Sequence, residues 1–172
     1  MFIPLRSVIG GTLRWKSRGW FRSVHELFAG TEVVARLTPL GGFTAAVAGE
    51  TADDRWSLAP VGFWRSRIVV RHGDSESEDA ALTPRFFGGG SVQLRDGRAF
   101  DWRSEDFWGK HWAMRDAAGA PIYRLKCAFL SLNGQAEVTI DPGGEREPAL
   151  AILLLLGWYT ALGQRRRSHA AG

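Results

Sequence analysis

A single cysteine, Cys127, stands in 172 residues, so no disulfide within the chain can hold it together. The fold therefore does not depend on oxidation, and a reducing compartment is expected. Cys127 falls on the apolar side of its segment, which reads as a buried thiol rather than a nucleophile. The N-terminus, MFIPLRSVIGG, has no basic start followed by a long apolar core, and no signal peptide is expected. Metal and catalytic signatures are missing as well. His25, His72, His111 and His169 are scattered, without an HExxH pattern or a cysteine beside them, so zinc is not expected. The glycines at 88–90 lack the lysine and following helix of a phosphate loop. Asp74, Glu76, Glu78 and Asp79 lack the spacing and central glycine of a calcium loop. Asp101 and Glu105 read as ordinary surface acids. The expectation is a protein without catalytic residues, metal or cofactor.

What is present is apolar and aromatic. Apolar residues make up 45% and charged residues 23%, which is ordinary for one globular domain spanning 1–172. Eight Trp and ten Phe against two Tyr mean that most ring area is purely core-filling. The rings alternate with charges, so they are expected to point inward, and a stacking platform for nucleic acid is not expected. The net charge of +4 and pI near 9.8 suit an anionic partner, but the arginines are spread along the chain.

From residue 12 to residue 147 the dominant pattern has period two. In 64–71, WRSRIVVR, Trp64, Ile68 and Val70 alternate with Arg65, Arg67 and Arg71, which predicts a half-buried strand. Similar alternation marks 91–95, 99–103, 112–115, 123–127 and 137–141; 12–17, 31–37, 43–47 and 55–58 are fainter candidates. The segment 23–28 fits neither period well; Ser23-x-x-Glu26 resembles a helical capping box, and the segment is read as strand. Asp96-Gly97 and Asn133-Gly134 are hairpin turns, and 74–79, DSESED, is an acidic loop. Short strands at this spacing, without βαβ alternation, indicate an all-β barrel or sandwich of about 12 strands.

The closing segment is different. ALAILLLLGWYTALG, 149–163, follows Pro148 and precedes Arg165, Arg166 and Arg167. Leu and Ala favour helix, Pro148 suits a first turn, and Gly163 suits a stop. The helix is apolar on every side, so it must be surrounded by protein or by lipid. A helix is about 10–12 Å across with its side chains. A barrel of eight strands is filled by its own side chains, whereas a larger one has room for such a helix. The expected architecture is a closed antiparallel barrel of about 12 strands enclosing a central helix at 148–164. The alternative is a tail-anchored membrane protein, with 149–163 in the bilayer and a cytosolic β domain.

The run 148–162, with the hairpins Arg55-Trp-Ser-Leu58, Gly62-Phe-Trp-Arg65, 94–98 with Phe100-x-Trp102, and 112–115, resembles the tubby-like superfamily. That superfamily includes tubby C-terminal domains, LURP-one-related proteins and phospholipid scramblases. The resemblance covers nearly the whole chain and is architectural. It implies a barrel threaded by its C-terminal helix and a non-catalytic binding module, cytoplasmic and peripheral at a membrane. The partner it implies is an anionic phospholipid, such as a phosphoinositide, or another protein. Tubby domains bind phosphoinositides through a Lys-x-Arg pair; the comparable pairs in this chain are Lys16-x-Arg18 and Arg65-x-Arg67. No scramblase calcium motif or palmitoylated cysteine segment is present. Neighbouring basic heads on one sheet face suit a phosphate, and these four residues are the expected lipid-binding residues.

Overall fold

The computed structural model describes residues 1–18, 23–41, 44–65, 67–128 and 134–170, the side chains of 65 and 165–170 excepted. Twelve strands form one closed antiparallel barrel: β1 (Leu13–Arg18), β2 (Val24–Ala29), β3 (Glu32–Pro39), β4 (Val47–Thr51), β5 (Arg55–Val61), β6 (Arg67–His72), β7 (Glu78–Pro84), β8 (Gly90–Leu94), β9 (Ala99–Ser104), β10 (His111–Asp116), β11 (Pro121–Cys127) and β12 (Ala136–Ile140). Each strand pairs with its neighbours in sequence, and β1 closes onto β12 through Leu13 opposite Val138. Period-two alternation sends Leu13 and Trp15, Leu58, Val92, Trp102 and Val138 inward, all with no accessible surface. Odd-numbered strands all run toward one end, the rim; even-numbered strands return to the base.

The lumen is filled by α2 (Leu150–Ala170), which follows the short α1 (Pro142–Glu145) at the base and runs toward the rim. Leu153, Leu155, Leu156 and Trp158 have no accessible surface, and Leu154 has 1%. Their cover comes from all round the barrel. Trp158 stacks on Trp15 of β1 with ring centroids 5.5 Å apart. A side-chain carbon added at Gly49 of β4 would lie 2.9 Å from Leu155. Tyr123 of β11 donates its hydroxyl proton to the Leu153 carbonyl at 2.8 Å. Tyr159 donates to the carbonyl of Ala45, between β3 and β4, at 2.7 Å. The helix is thus the core of the fold. Among the described residues, no helix is long and apolar enough to cross a membrane.

Several boundaries differ from the sequence reading. The helix does not stop at Gly163, because that glycine keeps helical backbone and the following Gln-Arg-Arg-Arg favours helix. Pro148 lies in the turn before the helix rather than in its first turn. The segment 23–28 does form a strand, β2, and Glu26 is no cap; it is buried against Arg36. Glu78 and Asp79 belong to β7, not to an acidic loop. The alanine-rich β7 carries almost none of the β-branched or aromatic signal by which strands are read. Trp64 is not an inward strand residue: β6 begins at Arg67, and Phe63–Arg65 is a 3-10 turn in which Trp64 has φ of 68°. Phe43 and Asn133 lie outside the described residues.

Candidate functional site

The four expected lipid-binding residues do not converge. Lys16 and Arg18 lie on β1, whereas Arg65 and Arg67 belong to the β5–β6 connection and β6, with β2 to β5 between the two pairs. Lys16 and Arg18 fold over the Phe28 ring, at 5.1 and 5.9 Å from its centroid. Arg18 also pairs with Glu26 at 3.1 Å, and Arg67 pairs with Glu78 at 2.7 Å. Arg65 precedes β6 in the 3-10 turn instead of sharing a strand face with Arg67, and its side chain lies outside the described residues. Arg67 has no acidic neighbour within β6, but Glu78 reaches it from the neighbouring strand β7. Within-strand reading has no access to that contact.

A different set of residues does converge. The largest exposed apolar side chains sit in three successive rim loops. Phe63 is 85% and Trp64 87% exposed between β5 and β6; Phe86 and Phe87 are each 96% exposed between β7 and β8; Phe107 is 92% and Trp108 73% exposed between β9 and β10. Each pair is packed edge to face, with centroids 5.1, 5.1 and 5.3 Å apart. The base is the opposite in character. Its connections 30–31, 52–54, 73–77, 95–98 and 117–120 contain no aromatic residue, and they carry Asp53, Asp54, Asp74, Glu76 and Asp96. Isolated proteins seldom leave so much apolar ring area at one end to water.

Two of these three loops are tied down by hydrogen bonds. Between β7 and β8, the Arg85 N–H donates to the Gly89 carbonyl at 3.0 Å, and the Gly88 N–H to the Arg85 carbonyl at 3.2 Å. Gly89 has φ of 72°, and a side-chain carbon there would lie 2.0 Å from the Trp102 carbonyl oxygen, so only glycine lets this loop lie on β9. Between β9 and β10, the Asp106 carboxylate accepts from the Lys110 N–H at 2.8 Å and the His111 N–H at 3.1 Å, with His111 Nδ1 at 2.5 Å. Trp112 Nε1 donates to the Gly109 carbonyl at 2.9 Å beside it. Phe107 and Trp108 are presented on that frame.

The barrel wall carries shared ion pairs. Glu26, Glu78 and Asp101 each engage two arginines: Arg18 with Arg36, Arg67 with Arg71, and Arg85 with Arg103. Each trio keeps one positive charge in excess. Burial pushes the Asp101 carboxyl up, but hydrogen bonds from Arg103 and Arg85 outweigh it and hold the group below the usual range. Gln164 of α2 lies beside Gly88 at the rim, so the helix emerges there just before Arg165, Arg166 and Arg167.

Asp106 gives a pH prediction. Its burial pushes the carboxyl up, while the His111 side chain and the Lys110 and His111 N–H groups together bring it below the ordinary value. A depressed carboxyl stabilises the loop above its unfolded pKa of about 3.9, and that contribution is lost as pH falls through the lower folded value. Carboxyl carbon shifts are expected to titrate Asp106 below pH about 3.9, with the Lys110 and His111 amide shifts moving in step. A midpoint at or above the ordinary value would show that the carboxylate does not tie the loop.

The signal for the rim was in the sequence. Adjacent aromatics cannot both face inward in a strand, because successive side chains alternate faces. Gly-Phe-Trp, Phe-Phe-Gly and Phe-Trp-Gly put such pairs next to turn glycines. Comparisons with protein-family models, curated proteins and solved structures give no match for this chain.

Proposed function

We propose that the chain is a non-catalytic, tubby-like binding module that docks by its rim on an anionic membrane surface. The observation that carries the reading is the three successive rim loops, each presenting a pair of exposed aromatic rings at the end where the basic end of α2 emerges. Aromatic rings favour the boundary between headgroups and acyl chains, and arginines favour the headgroup layer of anionic lipid. Full burial of a Phe-sized side chain is worth about 1.5–3 kcal/mol, and each basic residue near an anionic surface adds about 1 kcal/mol. Six partly inserted rings and a few arginines are enough for reversible docking. The hydrogen-bonded β7–β8 and β9–β10 loops hold their rings ready in the free protein, which lowers the ordering cost. A nucleic-acid platform is less well supported, because in an edge-to-face pair one ring covers a face that a base would need.

The test is co-sedimentation with phosphatidylcholine vesicles, with and without phosphatidylserine or phosphoinositide, at two salt concentrations. Wild type is expected to be retained by the anionic vesicles, less at high salt. Trp64→Ser/Phe87→Ser/Trp108→Ser should stay in the supernatant while melting like wild type. Arg65→Ala/Arg67→Ala should weaken retention only modestly, since Glu78 already engages Arg67. Equal retention of wild type and the aromatic variant would overturn the reading. So would a wild-type dimer that the aromatic variant abolishes without any vesicle binding, which would assign the rim to a second copy.

A further inference from the structure

We propose that a cavity beside the C-terminal half of α2 binds one aliphatic chain of an amphiphile, entering from the rim. The cavity is about 330 Å³ and lies between α2 and the rim ends of β3 to β7. That is near the lower limit of the roughly 300–1,000 Å³ of small-molecule sites, which suits a single chain better than a two-tailed lipid.

The chemistry of its walls selects an apolar occupant. Leu37, Val47, Ile68 and Leu82 form the strand side, facing Leu162 and Gly163 of α2. Pro39, Pro60 and Pro84 sit at or next to the rim ends of β3, β5 and β7 and also line the cavity. Proline has no N–H, so these three wall positions offer no backbone donor to a polar ligand. The hydroxyl groups in the lining are already used. Tyr159 donates to the Ala45 carbonyl at 2.7 Å, Thr160 to the Leu156 and Gly157 carbonyls at 3.0 and 2.9 Å, and Thr44 to the Gly41 carbonyl at 2.9 Å. Ser23, His25 and Gln164 supply the remaining polar side chains of the lining. Walls that are mostly apolar, with the Tyr159, Thr160 and Thr44 hydroxyl protons already donated, favour hydrocarbon over water.

The lining residues Pro60 and Pro84 lie three and two positions before the rim rings Phe63 and Phe86, and the site rests on the docking reading for its supply: a chain leaving a bilayer would pass the rim rings into the cavity. The same walls would take a chain from a free fatty acid in solution.

Gly163 supplies the decisive variant. A side-chain carbon added there meets nothing within 4 Å, and its backbone is not left-handed, so Gly163→Phe starts from an unobstructed position in the cavity lining. Ala46→Phe approaches from the opposite wall. The probes are cis-parinaric acid below its aggregation concentration, without vesicles, and anionic vesicles containing a parinaroyl phospholipid. Wild type is expected to bind one probe per chain saturably. Blocking about two methylenes at about 0.8 kcal/mol each should weaken binding about tenfold in Gly163→Phe and in Ala46→Phe, with vesicle retention unchanged and melting cooperative. Uptake of free acid identifies a free amphiphile as one source; uptake from vesicles alone identifies membrane lipid. The rim variant should still bind free acid while losing vesicles. Vesicle retention without any probe binding, or probe binding untouched by both fillers, overturns the cavity site while leaving membrane docking standing.

Discussion

A chain ended after Gly144 is expected to aggregate and to show no cooperative melting. The truncation removes α2, the helix that fills the lumen. Twelve strands close around a space that their own side chains do not fill, unlike the interior of an eight-stranded barrel. Without the helix, Trp15, Trp102 and Tyr123 would line a void, and the Tyr123 hydroxyl would lose its Leu153 acceptor. Leu150, Leu153, Leu154, Leu155, Leu156 and Trp158 are all buried, at roughly 1.5–3 kcal/mol each. Together they rival the about 5–15 kcal/mol of net stability of an ordinary domain. Leu154→Asp tests the same point in the full chain, because it places a carboxylate with no partner in the dry centre; Leu154→Ala should cost about 2–5 kcal/mol. A truncated protein that stays soluble and melts sharply, or a Leu154→Asp protein as stable as wild type, would show that the helix is dispensable.

That helix was the most legible part of the sequence, because an all-apolar run behind a dozen amphipathic strands admits few homes. Strands such as β9 and β11 were legible for the same reason: Phe100 and Trp102, or Tyr123 and Leu125, alternate with charge, and one face is fully buried. β7 was not, since alanines and two leading acids carry no strand signal; only pairing with β6 and β8 makes it one. The arrangement of the basic pairs was not legible for a related reason. A run of arginines in sequence says nothing about which carboxylates the next strand brings up, and Glu26 and Glu78 arrive from neighbouring strands. Trp64 failed because a tryptophan beside alternating residues reads as core. Its left-handed backbone and the turn at Phe63–Arg65 put it in solvent instead. Backbone strain of this kind at a bulky residue is retained where surrounding structure holds it. Here it displays a ring at the rim.

Gly157→Leu is expected to yield no folded protein, and Gly157→Ala a clearly weakened one. In an isolated helix this glycine would be a defect of about 1 kcal/mol relative to alanine. In the barrel it is the point where two strands reach the helix backbone. A carbon added at Gly157 would lie 2.0 Å from the Tyr123 hydroxyl oxygen, and 3.2 and 3.3 Å from ring atoms of Trp102. Neither neighbour yields readily. Trp102 is pinned by its stack on Trp112, at 5.3 Å between centroids. Tyr123 is fully buried and hydrogen-bonded to the Leu153 carbonyl, and burial pushes its phenol well above the usual value, so the hydroxyl stays protonated as a donor. Overpacking of this kind costs about 1–3 kcal/mol and at times more. Tyr123→Phe alone removes one hydrogen bond, at about 0.5–1.5 kcal/mol. It also removes the atom that the new methyl meets first. Gly157→Ala should therefore cost less in the Tyr123→Phe background, with a coupling of about 0.5–3 kcal/mol, and the methyl's helix-favouring effect should then emerge. Chemical denaturation of wild type, the two single variants and the double variant measures this directly. If the two costs simply add, the hydroxyl is not what the methyl meets, and the close approach of β11 to the middle of α2 does not explain the glycine.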